Sequence, residues 1–197
     1  MLKRAFDIVA SGLGLLFLSP LFLILAVWIK LDSRGPVFYR QIRVGRNNRD
    51  FQLFKFRSMR VGADKQGLIT VGGRDPRITR SGYFIRKYKL DEFPQLINVF
   101  VGDMSLVGPR PEVRKYVDMY TPEQMKVLSV RPGITDLASI RYRNENELLE
   151  QADDPDQYYE QVIMQDKLRI NLEYVANHSF LNDIKLIFRT FWEIIAR

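Results

Sequence analysis

Residues 8–29 carry no formal charge and are mostly Leu, Phe, Ile, Val and Ala. Such a run is long enough for a bilayer, whose hydrocarbon core takes about 20 helical residues rising roughly 1.5 Å each. Ser19-Pro20 interrupts it near the middle, and basic residues flank both sides: Lys3 and Arg4 before it, Lys30, Arg34, Arg40 and Arg43 after it. Positive flanks are kept on the cytoplasmic side. The pattern therefore predicts a helix-break-helix that dips into the membrane and returns, each half reaching about 15 Å, half the core. The Ser19 hydroxyl is placed to take up a carbonyl that Pro20 leaves without its donor. On this stretch alone, a straight proline-kinked span stays open.

Past Gly35-Pro36 the pattern changes to alternation. Apolar and basic residues alternate over 37–44 and 51–56 around Gly45-Arg46-Asn47-Asn48-Arg49, which predicts a β-hairpin with a basic tip. Its Arg43, Arg46 and Arg49 are candidates to face lipid headgroups, and Lys55 and Arg57, either side of Phe56, share one strand face. A loop over 62–73 and a turn at Asp75-Pro76 lead to a helix bearing Arg86. Thr121-Pro122-Glu123 carries the capping signal of a short helix. Arg141 and Arg143, two apart, are read on a strand that points both guanidiniums one way, as a phosphate clamp or as a solvated edge. Asp153-Asp154-Pro155 caps a helix to about Asn177. Over 180–195 apolar residues recur at helical spacing opposite charged ones; with Trp192 and Arg189 in belt-like positions, this helix is read as lying on the membrane, with core packing as the alternative.

Charge and composition narrow the chemistry. A net charge of +7 over 197 residues points to phosphates, anionic headgroups or nucleic acid without choosing among them. With no cysteine and His178 as the one histidine, disulfides, thiolate catalysis, histidine-based metal sites and Ser-His nucleophiles drop out. Any metal is then a hard cation held by oxygens. The densest candidate is Arg86-Lys87-Tyr88-Lys89-Leu90-Asp91-Glu92-Phe93-Pro94-Gln95-Leu96, with two adjacent carboxylates among Arg80, Arg86, Lys87 and Lys89. Pro94 suits a first helical turn, so Asp91 and Glu92 sit beside a positive helix end, which holds a carboxylate ionised and attracts phosphate or a divalent cation. Spacing alone equally allows an ordinary acidic helix start. Gly108-Pro109-Arg110-Pro111 presents one arginine on a loop stiffened by prolines, as phosphate or carboxylate recognition requires, or serves as a plain connector.

Five separated motifs then carry a resemblance: Phe54-Lys55-Phe56-Arg57-Ser58-Met59; Asp75-Pro76-Arg77-Ile78-Thr79; Leu90-Asp91-Glu92-Phe93-Pro94-Gln95-Leu96-Ile97-Asn98-Val99; Gly102-Asp103-Met104-Ser105-Leu106-Val107-Gly108-Pro109-Arg110-Pro111; and Arg131-Pro132-Gly133-Ile134-Thr135. In this order they resemble the bacterial sugar transferases, monotopic polyprenyl-phosphate phosphoglycosyl transferases, over nearly the whole chain, and the length is similar to that of the small members. The resemblance implies transfer of a sugar phosphate from a UDP-sugar to a polyprenyl (undecaprenyl) phosphate with release of UMP, using Mg²⁺. It implies catalytic and metal-binding roles for Asp91 and Glu92, and phosphate or nucleotide contacts for Arg86 and Arg110, with Lys55, Arg57, Arg141 and Arg143 as further candidates. The implied fold is α/β: a re-entrant membrane helix over 1–34 broken at Ser19-Pro20, and a cytoplasmic catalytic domain over 35–197 with an amphipathic helix about 180–196. The setting is the cytoplasmic face of a bacterial inner membrane, with membrane lipid and a homodimer as further partners. Two departures stand out: after Thr135 the chain reads Asp136-Leu137-Ala138-Ser139-Ile140-Arg141-Tyr142-Arg143-Asn144 where relatives carry glycine, an aromatic and Ala-Gln-Val, and Lys89 replaces a serine. An inactive scaffold of this fold and a membrane-anchored nucleic-acid-binding protein are the alternatives. The second lacks any RNP-like or helix-turn-helix pattern, so no nucleic acid is expected.

Overall fold

The computed structural model describes residues 1–197 apart from 68–69, 71–74 and 196–197; that part of the expected 62–73 loop lies outside the described residues. The apolar run forms α1, a helix over Leu2–Asp32 with Pro20 inside it. The expected break at Ser19-Pro20 is therefore not an unwound segment. Pro20 deprives the Leu16 carbonyl, four residues back, of its donor, and Ser19 Oγ donates to that same oxygen at 2.8 Å. With the freed acceptor satisfied, the helix carries through.

α1 is long and apolar enough to cross a membrane, yet both of its ends dock on one body. Near the start, Lys3 Nζ donates to the Val107 carbonyl at 3.0 Å and pairs with Asp183, Arg4 donates to the Val99 and Phe100 carbonyls, and Asp7 Oδ1 accepts from the Leu106 amide at 3.1 Å. Near its end, Asp32 Oδ2 accepts from the amide and hydroxyl of Ser81 at 2.9 and 2.8 Å. Lys3 and Arg4, expected as membrane-flanking charges, are thus spent on protein contacts. Leu25 and Ile29 pack with Phe56 and Ile85 in one of three core clusters. Leu13, Leu16, Phe17, Leu23, Ile24 and Val27 stay exposed.

The hairpin forms as expected: β1 (Phe38–Val44) pairs antiparallel with β2 (Asp50–Phe56). Its Arg43 departs from the headgroup role. Arg43 donates to the Pro111 carbonyl at 2.9 Å and pairs with Glu112, while Arg46 donates to the Ser129 carbonyl at 3.1 Å. Thr79 Oγ1 accepts from Gly82 N and caps α2 (Arg80–Lys87). A short 3₁₀ turn over Leu90–Glu92 comes next, then α3 (Gln95–Val101). β3 (Ser105–Val107) pairs in parallel with β4 (Gly133–Thr135), and α4 (Arg114–Val117) lies between them in sequence. Thr121 and Gln124 exchange the reciprocal bonds of a capping box, Gln124 N to Thr121 Oγ1 and Thr121 N to Gln124 Oε1, at the head of a 3₁₀ turn over Gln124–Ser129.

Downstream of β4 the expected strand is absent. Asp136 accepts from the Ser139 amide and N-caps α5 (Leu137–Arg141), so Arg141 ends a helix and Arg143 lies in the turn before α6 (Glu145–Glu150). The capping side chain settles this locally, since Asp before a free amide at N3 favours helix over sheet. Asp154 caps α7 (Pro155–Tyr158), which continues through a π turn over Tyr159–Ile163 into α8 (Met164–Asn177), as the Asp153-Asp154-Pro155 signal predicts. α9 (Phe180–Ile195) is the expected amphipathic helix. Among the described residues the fold is mixed helix and strand: two two-stranded sheets in a largely helical body with one long apolar N-terminal helix.

Candidate active site

Two motifs that are far apart in sequence build one wall of the site by crossing. Gly108 N donates to the Thr135 carbonyl at 3.1 Å and Gly133 N to the Pro109 carbonyl at 3.0 Å. A Cβ on Gly108 would stand 2.4 Å from the Arg131 carbonyl oxygen, and one on Gly133 would stand 2.1 Å from Gly108 N. Only glycine permits that approach at either position. Asp136 Oδ2 then accepts from the Arg110 amide at 2.6 Å, so the residue that caps α5 also pins the Pro109-Arg110-Pro111 loop.

From this wall the Arg110 guanidinium grips Glu92 as a fork: Nη1 reaches Oε2 at 3.0 Å and Nη2 reaches Oε1. Lys55 of β2 stands 3.7 Å from Oε1 of the same carboxylate. Burial alone would raise the Glu92 carboxyl, but the Arg110 charge first, then Lys55, hold it well below the usual carboxylate range. The Glu92 charge in turn raises Arg110. Burial lowers Lys55 to about 8, with Glu92 opposing that shift.

Asp91 differs in every respect. It is 7% exposed, yet no hydrogen bond or ion pair reaches its carboxylate among the described residues. Burial, then the neighbouring Glu92 charge, raise its carboxyl above the usual value against the pull of Lys55, Arg86 and Lys89. Desolvation thus works against the helix end and the cationic neighbours, which by sequence favour the ionised form. A carboxylate on a residue this buried, with no protein donor, is the kind of group that gathers at functional sites. The backbone two residues before Asp91 is also strained, because Lys89 takes the left-handed conformation at φ 56°.

The other candidates separate. Arg86, half-buried on α2, is near enough for its charge to act on Asp91 and forms no ion pair among the described residues. Arg57 is corrected. Past the end of β2 its guanidinium, on a residue 4% exposed, donates to the Pro36 carbonyl at 2.6 Å and to the Ser33 hydroxyl and carbonyl at 2.8 Å, closing the C-terminal end of α1. A cation there satisfies the helix's last carbonyls. Replacing it in Arg57→Met is expected to lower Tm by about 4–8 °C, the scale of about 2 kcal/mol of charged hydrogen bonding. Thermal unfolding checks this beside donor KM, which is expected to stay unchanged; a raised KM at normal Tm would return Arg57 to the site. Arg141 and Arg143 pair with Asp166 and Glu193 and line a separate cleft without Asp91, Glu92, Lys55 or Arg110.

Two further residues escaped the sequence reading. Asp136 positions Arg110, and its place directly after a strand and three before Ser139 was the available signal. Gln95 lies one helical turn beyond Asp91; it is 1% exposed and its amide nitrogen finds no partner. For a metal, no group of three or more acidic or histidine side chains converges among the described residues. Both Glu92 oxygens accept from Arg110, whereas the Asp91 oxygens have no protein donor among the described residues. One carboxylate plus substrate phosphates is a usual Mg²⁺ environment.

A family model described as bacterial sugar transferase matches residues 1–197. The chain is 40% identical to a UDP-N-acetylgalactosamine-undecaprenyl-phosphate N-acetylgalactosaminephosphotransferase of Aeromonas hydrophila, over 99% of this chain and 44% of that protein. It is 39% identical to a UDP-glucose:undecaprenyl-phosphate glucose-1-phosphate transferase of Escherichia coli (strain K12), over 96% and 39%. With an exopolysaccharide production protein, PSS, of Rhizobium leguminosarum bv. phaseoli it shares 40% identity over 96% and 93%. The chain thus spans less than half the length of the first two relatives and nearly all of the third.

Proposed function

Because the chain belongs to the bacterial sugar transferase family, we propose that it moves a sugar 1-phosphate from a UDP-sugar to undecaprenyl phosphate and releases UMP. The observation that carries this is the division of labour in the Asp91-Glu92 pair. One carboxylate is gripped by a guanidinium fork with a lysine beside it, and its neighbour is 7% exposed with no protein donor among the described residues. A carboxylate of that kind is a nucleophile: Asp91 attacks the phosphorus that bears the sugar, the bond to the UMP oxygen breaks, and an aspartyl phosphosugar remains. The acceptor's phosphate oxygen then attacks the same phosphorus and frees Asp91. Arg110 and Lys55, held by Glu92, and Arg86 beside Asp91 supply positive charge where the diphosphate accumulates negative charge. Mg²⁺, held by Asp91 and the donor's phosphates, would neutralise charge on the leaving UMP. The Arg110 fork and the Lys55 ammonium both lie against Glu92, which favours a role for it in aiming those two cations over one in proton transfer. The test is UMP release from a panel of UDP-sugars with undecaprenyl phosphate and Mg²⁺. No UMP from any of them would defeat the reading; the comparisons lend no support to the scaffold or nucleic-acid alternatives.

The membrane seat is argued from the docking of α1. A straight helix of 31 residues is about 46 Å long at 1.5 Å per residue. If its ends lay on opposite sides of a bilayer, Lys3 and Asp32 could not both touch one domain, as they do. Entry and exit on the same, cytoplasmic, face keeps both contacts, with Pro20 as the bend. Tags ahead of Lys3 and after Arg197 are accordingly expected to resist labelling from the periplasm in intact cells. Labelling of the N-terminal tag alone would establish a span instead.

A further inference from the structure

Away from the dyad, α5, α8 and α9 enclose an open cleft of about 510 Å³ walled by Arg141, Arg143, Arg169 and Arg189 over Ile140 and Ile170. We propose that this cleft holds the headgroup of an anionic phospholipid at the membrane surface.

The charges come first. Arg141 and Arg169 share Asp166, Arg169 also reaches Glu173, and Arg143 pairs with Glu193. Arg189 has no ionic partner among the described residues. Four guanidiniums thus face three carboxylates, and one phosphodiester balances the remainder. The pairing acids orient the guanidiniums, and the planar fork suits phosphate oxygens.

α9 indicates where such a phosphate comes from. At about 100° per residue, Leu181, Phe188 and Trp192 fall within a sector of about 40°. They are 72%, 71% and 72% exposed. On the opposite side of α9, Asp183 is buried against Lys3 and Tyr174, and Thr190 meets Thr135 Oγ1 at 2.7 Å. The apolar stripe therefore points straight away from the protein. Arg189 lies about 80° round from the stripe and Glu193 about 120°, so the cleft opens at the stripe's edge. A helix with that stripe sunk into the acyl boundary sets its flanking cations at headgroup depth. Soluble phosphate would fit the charge but leave the stripe unexplained. The cleft is separate from the dyad, and the inference rests on the membrane seat proposed above rather than on the transfer chemistry.

The test uses the full chain in a neutral detergent, with thermal unfolding read against dioctanoyl phosphatidylglycerol, dioctanoyl phosphatidylcholine and inorganic phosphate. Phosphatidylglycerol alone is expected to raise Tm, by about 3 °C or more at saturating lipid. Arg189→Gln is expected to raise the lipid concentration needed for that response about fivefold, the scale of one arginine at an anionic surface. Its lipid-free Tm and donor-only UMP release should match wild type. Should Arg189→Gln not fold, Arg169→Gln and mass spectrometry of lipid co-purified with the wild-type chain read the same site. An equal response to phosphatidylcholine or to phosphate, or an undiminished one in the variant, overturns the inference. So does a raised KM for the polyprenyl phosphate with the phosphatidylglycerol response intact, which would make the cleft an acceptor site. None of these outcomes touches UMP release by the wild-type chain, so the two readings fail separately.

Discussion

Asp91→Asn is expected to abolish acceptor-independent UMP release. Incubated with donor and Mg²⁺ alone, the wild-type chain should release UMP up to one equivalent of enzyme and gain the mass of one phosphosugar; the variant should do neither. The loss in turnover should reach about 10⁴-fold or more, as when a covalent nucleophile is removed. Asparagine keeps the size of the side chain but is a poor nucleophile and a neutral metal ligand. Because Asp91 has no protein partner to lose among the described residues, the variant should fold at least as well as wild type, since replacing a buried unpaired carboxylate by a neutral amide removes a desolvation cost. Lost activity with retained or raised Tm is therefore the expected signature. The rival is direct attack by the lipid phosphate in a ternary complex, with Asp91 holding only the metal. Intact-protein mass spectrometry separates the two: no added mass and no burst in the wild-type chain would exclude the covalent route while leaving the transferase assignment in place.

Arg110→Met should cost less rate but more stability, for a different reason. The guanidinium makes two bonds to Glu92, and its removal leaves that half-buried carboxylate with Lys55 alone. Breaking a fully buried pair from one side costs about 3–5 kcal/mol, and this half-buried pair, with Lys55 still beside Glu92, is expected to cost about half of that. A marked fall in Tm should thus accompany a loss of rate of about 10²–10³-fold, the scale of one missing electrostatic donor. Adding Glu92→Gln should recover much of the stability and none of the rate. Arg110→Lys should not restore activity, because an ammonium cannot span both carboxylate oxygens. Unfolding curves and initial rates on the four proteins provide the check. Full activity in Arg110→Lys would mean that a point charge suffices and that the fork is structural only.

Much of this protein was legible along the chain because the signals are local. The uncharged run, the hairpin alternation, the Asp154-Pro155 cap and the α9 stripe each depend on neighbours within a few residues, and each appears where the pattern puts it. The Ser19 bond to the Leu16 carbonyl belongs here too, since both groups lie within one turn. Arg141 and Arg143 were misread because alternate spacing outweighed the nearer Asp136 cap.

The sequence by itself determined most of the elements, the basic character and the adjacency of Asp91 and Glu92. Only the tertiary structure decided what each carboxylate is for. Arg110 is 18 positions from Glu92 and is held by Asp136, a further 26 positions on, while Lys55 arrives from a separate strand. No local rule relates those distances. Burial likewise works against the expected effect on Asp91, because desolvation depends on the groups that close over a side chain in space and not on its neighbours along the chain. The same holds for Arg57, a neighbour of Lys55 in sequence that folding sends to the end of α1, and for the two ends of one apolar helix, which the fold brings down on one domain.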